Sequence, residues 1–272
     1  AFAKPGDTFD TSIGWRFVNK YFTSGELSRD GKMTYSMPET AEELASTDSI
    51  SREDADAFAV RSHEKALAAI AAGRFKDEIV PVTIKGRKGD TVVDTDEGPR
   101  EGTTMEVLSK LRPVVKPGGI VTAGNASSLN DGASAIIIAS ERAIKEYGLT
   151  ARARIVDGAS AGVPPEIMGI GPVPATQKVL QRSGISLDQV GAFELNEAFA
   201  TQSLACIRRL GVDEGIVNND GGAIALGHPL GSSGSRIAIT LLGRMEREGA
   251  SHGIATMCVG VGQGTAMLIE AV

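Results

Sequence analysis

The sequence predicts a layered α/β fold, and three observations carry that expectation. From residue 124 onward, short apolar runs suited to strands alternate with segments whose apolar residues recur at helix spacing. Glycine is abundant, at 33 of 272 residues, while aromatic residues make up only 4%. Small side chains of that kind suit close packing of helices on a sheet. Hydrophobic residues amount to 42%, which makes a sizeable core available. The length fits one large domain or two ordinary ones.

Residues 1 to about 36 have weak periodicity and many turn signals, among them Pro5-Gly6-Asp7, Ser24-Gly25 and Asp30-Gly31, so a loop-rich start is expected. Met37 to Ala45 reads as a short helix with Pro38 in its first turn and acids after it. Ser51-Arg52-Glu53-Asp54 has the pattern of a capping box and opens a longer helix to about Ala72, stopped by Gly73. Its apolar face comprises Ala55, Phe58, Ala59, Ala66, Leu67 and Ile70. His63, inside the charged run Arg61 to Lys65, reads as part of a solvated face. Ile79 to Ile84 reads as a strand that Pro81 marks as an edge, and Thr91 to Val93 as a second. The basic turn between them places Arg87 and Lys88 in solvent. A short helix is expected at Met105 to Leu111.

Gly124 to Ala133 is a polar loop of small residues, and Ser134 to Ala139 follows as an expected buried strand. A helix from Glu141 to Tyr147, ended by Gly148, leads to a strand at Ala153 to Ser160. Next come a helix at Pro174 to Ser183, an apolar run at Val190 to Leu195 and a helix at Ala198 to Leu210. In the stretch Asn219 to Gly234, glycines and a proline surround one histidine, His228. A helix from Ser235 to Glu248 follows, with Ile237, Ala238, Leu241, Leu242 and Met245 on one face. Two last strands, Gly253 to Cys258 and Thr265 to Glu270, flank the hairpin-compatible loop Val259 to Gly264, so an antiparallel edge is expected.

Composition narrows the function. A net charge of −6 argues against a general nucleic-acid binder, which would present a basic face. No apolar run approaches about 18 residues, so no membrane-spanning helix is expected, and the start lacks the apolar core of a signal peptide. Two cysteines are too few for a disulfide framework and fit a reduced, cytoplasmic setting. No Cys/His cluster has metal-ligand spacing, so no metal is expected. The first residue is not Met, which fits a trimmed or processed chain.

Four loops lie at strand ends: Gly124 to Gly132, Asn196 to Phe199, Gly227 to Gly234 and Cys258 to Gly264. Ligands of open α/β sheets gather at the carboxyl ends of strands. His228 is the main titratable group of its loop, although a glycine-rich connection with an incidental histidine reads the same way. Asn196 closes an apolar run and also suits a helix N-cap. Cys206 falls inside a helix and reads as inert, whereas Cys258 ends a strand beside three glycines and reads as a functional thiol. Histidine beside cysteine suggests activated-thiol chemistry. The residues alone leave thiol acyl transfer and a cysteine hydrolase both open.

The four loops together resemble the thiolases. The matching stretches are Gly124-Asn125-Ala126-Ser127 with Asn130-Asp131-Gly132-Ala133, Asn196-Glu197-Ala198-Phe199-Ala200, Gly221 to Gly234, and Cys258-Val259-Gly260-Val261-Gly262-Gln263-Gly264. Each is moderately specific, and four in the family's order and spacing are very specific. The resemblance implies a thiolase-like fold with a loop domain over residues 1–122, the last part of an N-terminal half over 123–150 and a complete C-terminal α/β/α half over 151–272. It implies reversible thiolysis of a 3-oxoacyl-CoA by coenzyme A, a substrate, with no cofactor. By the resemblance, His228 activates the nucleophile and helps to hold the thioester oxygen, Asn196 positions a water in that oxyanion hole, Cys258 is the acid/base, and the Gly260 N–H serves a second oxyanion hole. Ser127 would hydrogen-bond the pantetheine, and Leu129, Met37, Met168 and Phe199 would line its tunnel. A homodimer or dimer of dimers is implied, without nucleic acid or membrane partners.

Two departures qualify this. Thiolases carry the acyl group on a second cysteine in the N-terminal half, and no cysteine precedes Cys206 here. The expectation is a thiolase fragment that begins where the loop domain begins, is inactive by itself and exposes a large apolar face. Ser36 precedes Met37 where acetoacetyl-specific thiolases tend to have histidine; with Ile13 to Phe17 this looks more like degradative thiolases, including the 3-oxoadipyl-CoA branch. A non-catalytic thiolase-like scaffold is the rival from another class, and a scaffold has no physical need for His228, Cys258 and Asn196 together.

Overall fold

A computed structural model describes residues 35–272, and the expectations for residues 1–34, Trp15 included, lie outside the described residues. Helices α1 (Met37–Thr47) and α2 (Arg52–Ala71) each begin on a serine with a reciprocal capping box, Ser36 with Glu39 and Ser51 with Asp54. Helix α2 turns Ala55, Phe58, Ala59 and Ala66 into the core. His63 lies on that buried side, and its Nδ1 accepts from the Arg100 N–H at 3.1 Å. The solvated reading of His63 is therefore corrected. A chain segment 37 residues away covers the ring, and helical periodicity cannot reveal such a contact. Strands β1 (Val82–Ile84) and β2 (Thr91–Val93) form an exposed antiparallel hairpin. β1 starts after Pro81, whose ring nitrogen has no proton for a ladder. Helix α3 (Met105–Ser109) is capped by Thr104, whose hydroxyl accepts from the Val107 N–H.

Ser134 to Ala139 forms no strand, contrary to expectation. Ile137 is 89% exposed and Ile138 76%, and no strand among the described residues pairs with them. A run of β-formers becomes a strand only where a neighbour takes its backbone hydrogen bonds. The segment is instead pinned at one end, where the Ser134 hydroxyl bonds those of Ser232 at 2.7 Å and Ser235 at 2.5 Å. Helix α4 (Glu141–Tyr147) follows, with Ser140 as N-cap and Gly148 left-handed at its end.

The C-terminal part is built on one mixed sheet. Strands β3 (Ala153–Gly162), β4 (Ala192–Leu195), β5 (His252–Val259) and β6 (Gln263–Ala271) lie in the order β3-β6-β5-β4. β4 and β5 are parallel, and the β5–β6 and β6–β3 pairs are antiparallel. Alternation along the strands sorts the two faces. Phe193, Leu195, Ile254 and Leu268 join the core of α5 (Pro172–Ser183) and α6 (Ala200–Leu210). Ala192, Ala255 and Ile269 join Ile237, Leu241 and Met245 of α8 (Ser233–Glu248) on the other. The sheet thus has helices on both faces, the expected α/β/α arrangement. The crossover from β4 to β5 runs through α6, the short α7 (Ala223–Leu226) and α8. It leaves the carboxyl ends of β4 and β5 side by side.

Candidate active site

The parallel register pairs Leu195 with Thr256, and the Asn196 N–H bonds the Thr256 carbonyl at 3.0 Å. Asn196 and Cys258 therefore lie at neighbouring strand ends. Helix α6 is capped by Phe199 and begins at Ala200, so Asn196 is not its N-cap. The Asn196 side chain turns instead to the loop between α7 and α8, where its Nδ2 is 3.3 Å from His228 Nε2. Its Oδ1 is buried and has no hydrogen-bond partner among the described residues. A buried acceptor without a partner suits a water or a ligand donor.

His228 reaches this position through its backbone. Gly227 before it has φ +95°, and a Cβ there would lie 2.3 Å from Asn130 Oδ1, so glycine is required. The His228 N–H bonds the Ser128 carbonyl at 3.0 Å. The segment from Asn125 to Asn130 runs between the two loops. Ser127 N–H and Oγ both donate to the Ala198 carbonyl at 3.0 Å, and the Asn125 carbonyl accepts from the Ala200 N–H. Three stretches distant in sequence are thereby laced together by main-chain bonds.

The ring of His228 is fixed at its far nitrogen as well. Nδ1 lies 2.6 Å from Ser233 Oγ, and that hydroxyl donates to the Pro229 carbonyl at 3.0 Å. With its only proton on Pro229, Ser233 accepts from Nδ1–H. Nε2 is left with a lone pair facing the Asn196 amide. Burial, reinforced by the Arg236 charge, pushes the imidazole down to about 4, so the ring is neutral near pH 7. A neutral ring whose Nε2 lone pair meets only the Asn196 amide, at 3.3 Å, can take up a proton, and once protonated there it can donate to an oxygen. Ser233 lies within the glycine-rich stretch, and the sequence signal for this contact is a hydroxyl five residues after the histidine, at the helix entrance.

Cys258 is buried, and burial pushes its thiol up to about 12. No hydrogen bond joins it to His228. Burial of this kind favours the neutral thiol over the thiolate that a nucleophile needs. Gly260 sits in the β5–β6 turn with open space where a Cβ would be, so no described neighbour demands glycine there. Cys206 is buried in α6, where its thiol donates to the Gly169 carbonyl at 3.2 Å, and burial raises its pKa.

The remaining candidates fall in two groups. Leu129, 48% exposed, is bridged to His228, and half-buried Phe199 is bridged to Ala126, next to Ser127. Beside them an open cleft of about 400 Å³ is lined by Leu129 to Gly132 and Pro229 to Gly231. Met37 begins α1 and Met168 is buried in the 3-10 turn Pro165–Ile170, on elements that pack together. They meet each other's elements and are not hydrogen-bonded to His228 or Asn196. Among the described residues no group of acids, histidines and cysteines could hold a metal. No described helix is long and apolar enough to cross a membrane.

A mixed sheet covered on both faces, with Asn196 and Cys258 at adjoining strand ends and a neutral histidine on the loop that Asn196 faces, defines the core of an α/β enzyme. The chain belongs to the thiolase family: the thiolase N-terminal domain matches residues 17–142 and the thiolase C-terminal domain residues 149–271. It is 54% identical to a β-ketoadipyl-CoA thiolase of Pseudomonas aeruginosa over all of this chain and 67% of that one. It is 50% identical to a 3-oxoadipyl-CoA/3-oxo-5,6-dehydrosuberyl-CoA thiolase of Escherichia coli with the same coverage. An acetyl-CoA acetyltransferase of Pseudomonas aeruginosa is 55% identical over 86% of this chain and 60% of that one. The crystal structure of human mitochondrial 3-ketoacyl-CoA thiolase superposes with a TM-score of 0.86 at 44% identity, covering 93% of this chain and 67% of that one. The same human enzyme in complex with CoA gives 0.85 at 43% identity, covering 95% and 66%. The chain thus spans about two thirds of the length of its relatives.

Proposed function

We propose that the protein is a degradative thiolase that cleaves a 3-oxoacyl-CoA, of the 3-oxoadipyl type, with coenzyme A. The observation that carries this is the His228 ring, held neutral with its Nε2 lone pair turned to the Asn196 amide. In the reaction His228 takes the proton of a nucleophilic thiol. Its new Nε2–H and a water on Asn196 then hold the thioester oxygen as negative charge develops there. Cys258 gives its proton to the α-carbon of the departing acetyl-CoA and afterwards takes one from the incoming CoA thiol. The Gly260 N–H steadies the oxygen in that second step. Ser127, Leu129, Met37, Met168 and Phe199 line the path of the pantetheine, and assembly as a homodimer or dimer of dimers belongs to the same reading.

The acyl-carrying thiol is neither cysteine of this chain. Cys206 is inert in α6, and Cys258 is the acid. The 272-residue polypeptide alone is therefore expected not to cleave acetoacetyl-CoA, whereas protein made from the full coding sequence is expected to release acetyl-CoA. Rates on 3-oxoadipyl-, acetoacetyl- and longer 3-oxoacyl-CoA test the substrate class, with 3-oxoadipyl-CoA expected to be fastest. A strong preference for acetoacetyl-CoA sinks the degradative assignment. Free acid in place of acyl-CoA, with coenzyme A present, favours the hydrolase.

A further inference from the structure

One buried carboxylate beside the site has no place in the chemistry above. Glu197 follows Asn196 directly and is 2% exposed. Its Oε2 accepts from Ser62 Oγ at 2.6 Å and from the Ile224 N–H at 3.2 Å, and its Oε1 accepts from Asn218 Nδ2 at 2.9 Å. The Ser62 oxygen itself accepts from the Gly222 N–H at 3.2 Å, which leaves the serine proton for the carboxylate. Asn218 also brackets Leu195, accepting from its N–H and donating to its carbonyl, each at 2.8 Å. The fit at Gly222 is close enough that a Cβ would lie 2.0 Å from the Glu197 carboxyl carbon.

Four pieces of chain therefore converge on this one group: α2 through Ser62, the turn at Asn218, the start of α7 through Ile224, and the end of β4 from which Glu197 itself springs. Helix α7 ends at Leu226, two residues before His228. The carboxylate is thus joined by a peptide bond to Asn196 and by hydrogen bonds to the helix that delivers His228. We propose that Glu197 is a positioning residue that sets the contact between Asn196 Nδ2 and His228 Nε2 by fastening the end of β4 and the start of α7 to one point. This rests on the thiolase reading only for its kinetic consequence. Every partner of the group is a donor, so a carboxylate serves all of them and an amide cannot, because one of its two faces would turn N–H toward N–H or O–H. Burial raises the Glu197 pKa, and the Ser62, Asn218 and Ile224 donors oppose that rise. A purely structural carboxylate would cost stability when replaced and leave the His228 ring as it is.

The experiment compares Glu197→Gln and Ser62→Ala with the natural protein, made from the full coding sequence, by two readouts. The first is ¹⁵N NMR of the histidine rings, with His228 assigned through His228→Gln and His252, on β5, as an internal control. In Glu197→Gln the His228 Nε2 signal is expected to shift, as the Asn196 contact loosens, while the Nδ1–H held by Ser233 and the His252 signals stay in place. The second is thiolysis: kcat is expected to fall on the order of 100-fold, the scale of a misplaced catalytic group, with KM little changed. Ser62→Ala keeps the carboxylate and removes one donor; the same displacement of the His228 signals is expected, with a fall in kcat of about tenfold. It also decides the matter if Glu197→Gln does not fold. His228 signals and kcat that both match the natural protein overturn the proposal. A natural protein inactive on every 3-oxoacyl-CoA, with His228 still displaced in the variants, would overturn the thiolase reading and leave the positioning role standing.

Discussion

The two halves of the site are built by opposite means. The His228 corner is held by directed bonds: Ser128 on its backbone, Ser233 on Nδ1 and Asn196 on Nε2. The Cys258 corner is held by burial, at the end of a strand whose turn runs on through exposed Val259 and Val261. The same desolvation acts on both groups with opposite sign. It pushes the imidazole down to about 4 and the thiol up to about 12. Burial disfavours charge, so a base that would become a cation and an acid that would become an anion both stay neutral. Burial thus leaves a lone pair on His228 and a held proton on Cys258 at neutral pH without an ion pair to activate either.

The hardest way to break this comparison is to remove the base. His228→Ala is expected to lower kcat by about 10³–10⁴-fold in thiolysis, the scale of a general base, and to leave the fold intact because the ring is only half-buried. Rates at saturating substrate check it; a loss under about tenfold would mean that another group takes the proton. Cys258→Ala tests the other corner, since the carbanion would then lack its proton donor. Acyl exchange onto the enzyme should survive better than carbon–carbon cleavage.

The next effect is on stability and follows from the sign of the His228 shift. Above pH 6.5 the ring is neutral folded and unfolded, so it contributes nothing to the pH dependence. Between 6.5 and about 4 the unfolded chain takes up a proton that the folded ring refuses. Stability therefore falls as pH is lowered through that window, by roughly 3 kcal/mol if the whole shift is realised. Denaturant titrations at several pH values should show this slope in the natural protein and a shallower one in His228→Gln, where buried His63, also shifted down, still contributes. Equal slopes would place the cause in other groups. The Cys258 thiol, neutral in both states over this range, adds nothing to it.

Much of the architecture was legible because it is periodic. Ile237, Leu241 and Met245 announce α8, and the apolar runs Val190 to Leu195 and Gly253 to Cys258 announce the inner strands, since helix and strand spacing are local properties. The glycine-flanked histidine, the Asn196 turn and Cys258 could also be read, each at the end of an element. What was hidden depends on contacts across the chain. His63 looks solvated until Arg100 covers it, and Ser134 to Ala139 looks like a strand until its lack of a neighbour is seen. The tautomer lock at Ser233 was hidden for the same reason: it is a matter of where one proton points.

That lock gives a smaller effect, and it separates orientation from chemistry. In Ser233→Ala, Nδ1 loses its acceptor, both tautomers become available and Nε2 carries the proton part of the time. A fall in kcat of about tenfold is expected, with KM unchanged, because only the base-competent tautomer reacts. Ser233→Thr, which keeps a hydroxyl, should restore most of the rate. Failure of that rescue would point to packing at the α8 entrance.

The smallest effect contrasts the two apolar runs that looked alike in sequence. Ile254 is fully buried on the inner strand β5, and Ile137 is 89% exposed on the unpaired segment. In the 272-residue polypeptide, Ile254→Ala is expected to cost about 2–5 kcal/mol, the range for emptying a packed core position. Ile137→Ser should change stability by less than about 0.5 kcal/mol, since its side chain is already in water. Chemical denaturation of the two variants decides it. A large loss at Ile137 would mean that its apolar surface is buried in solution after all, against a neighbour that supplies the missing strand. The run's β-forming residues would then be read correctly, and its partner would be what sequence inspection could not locate.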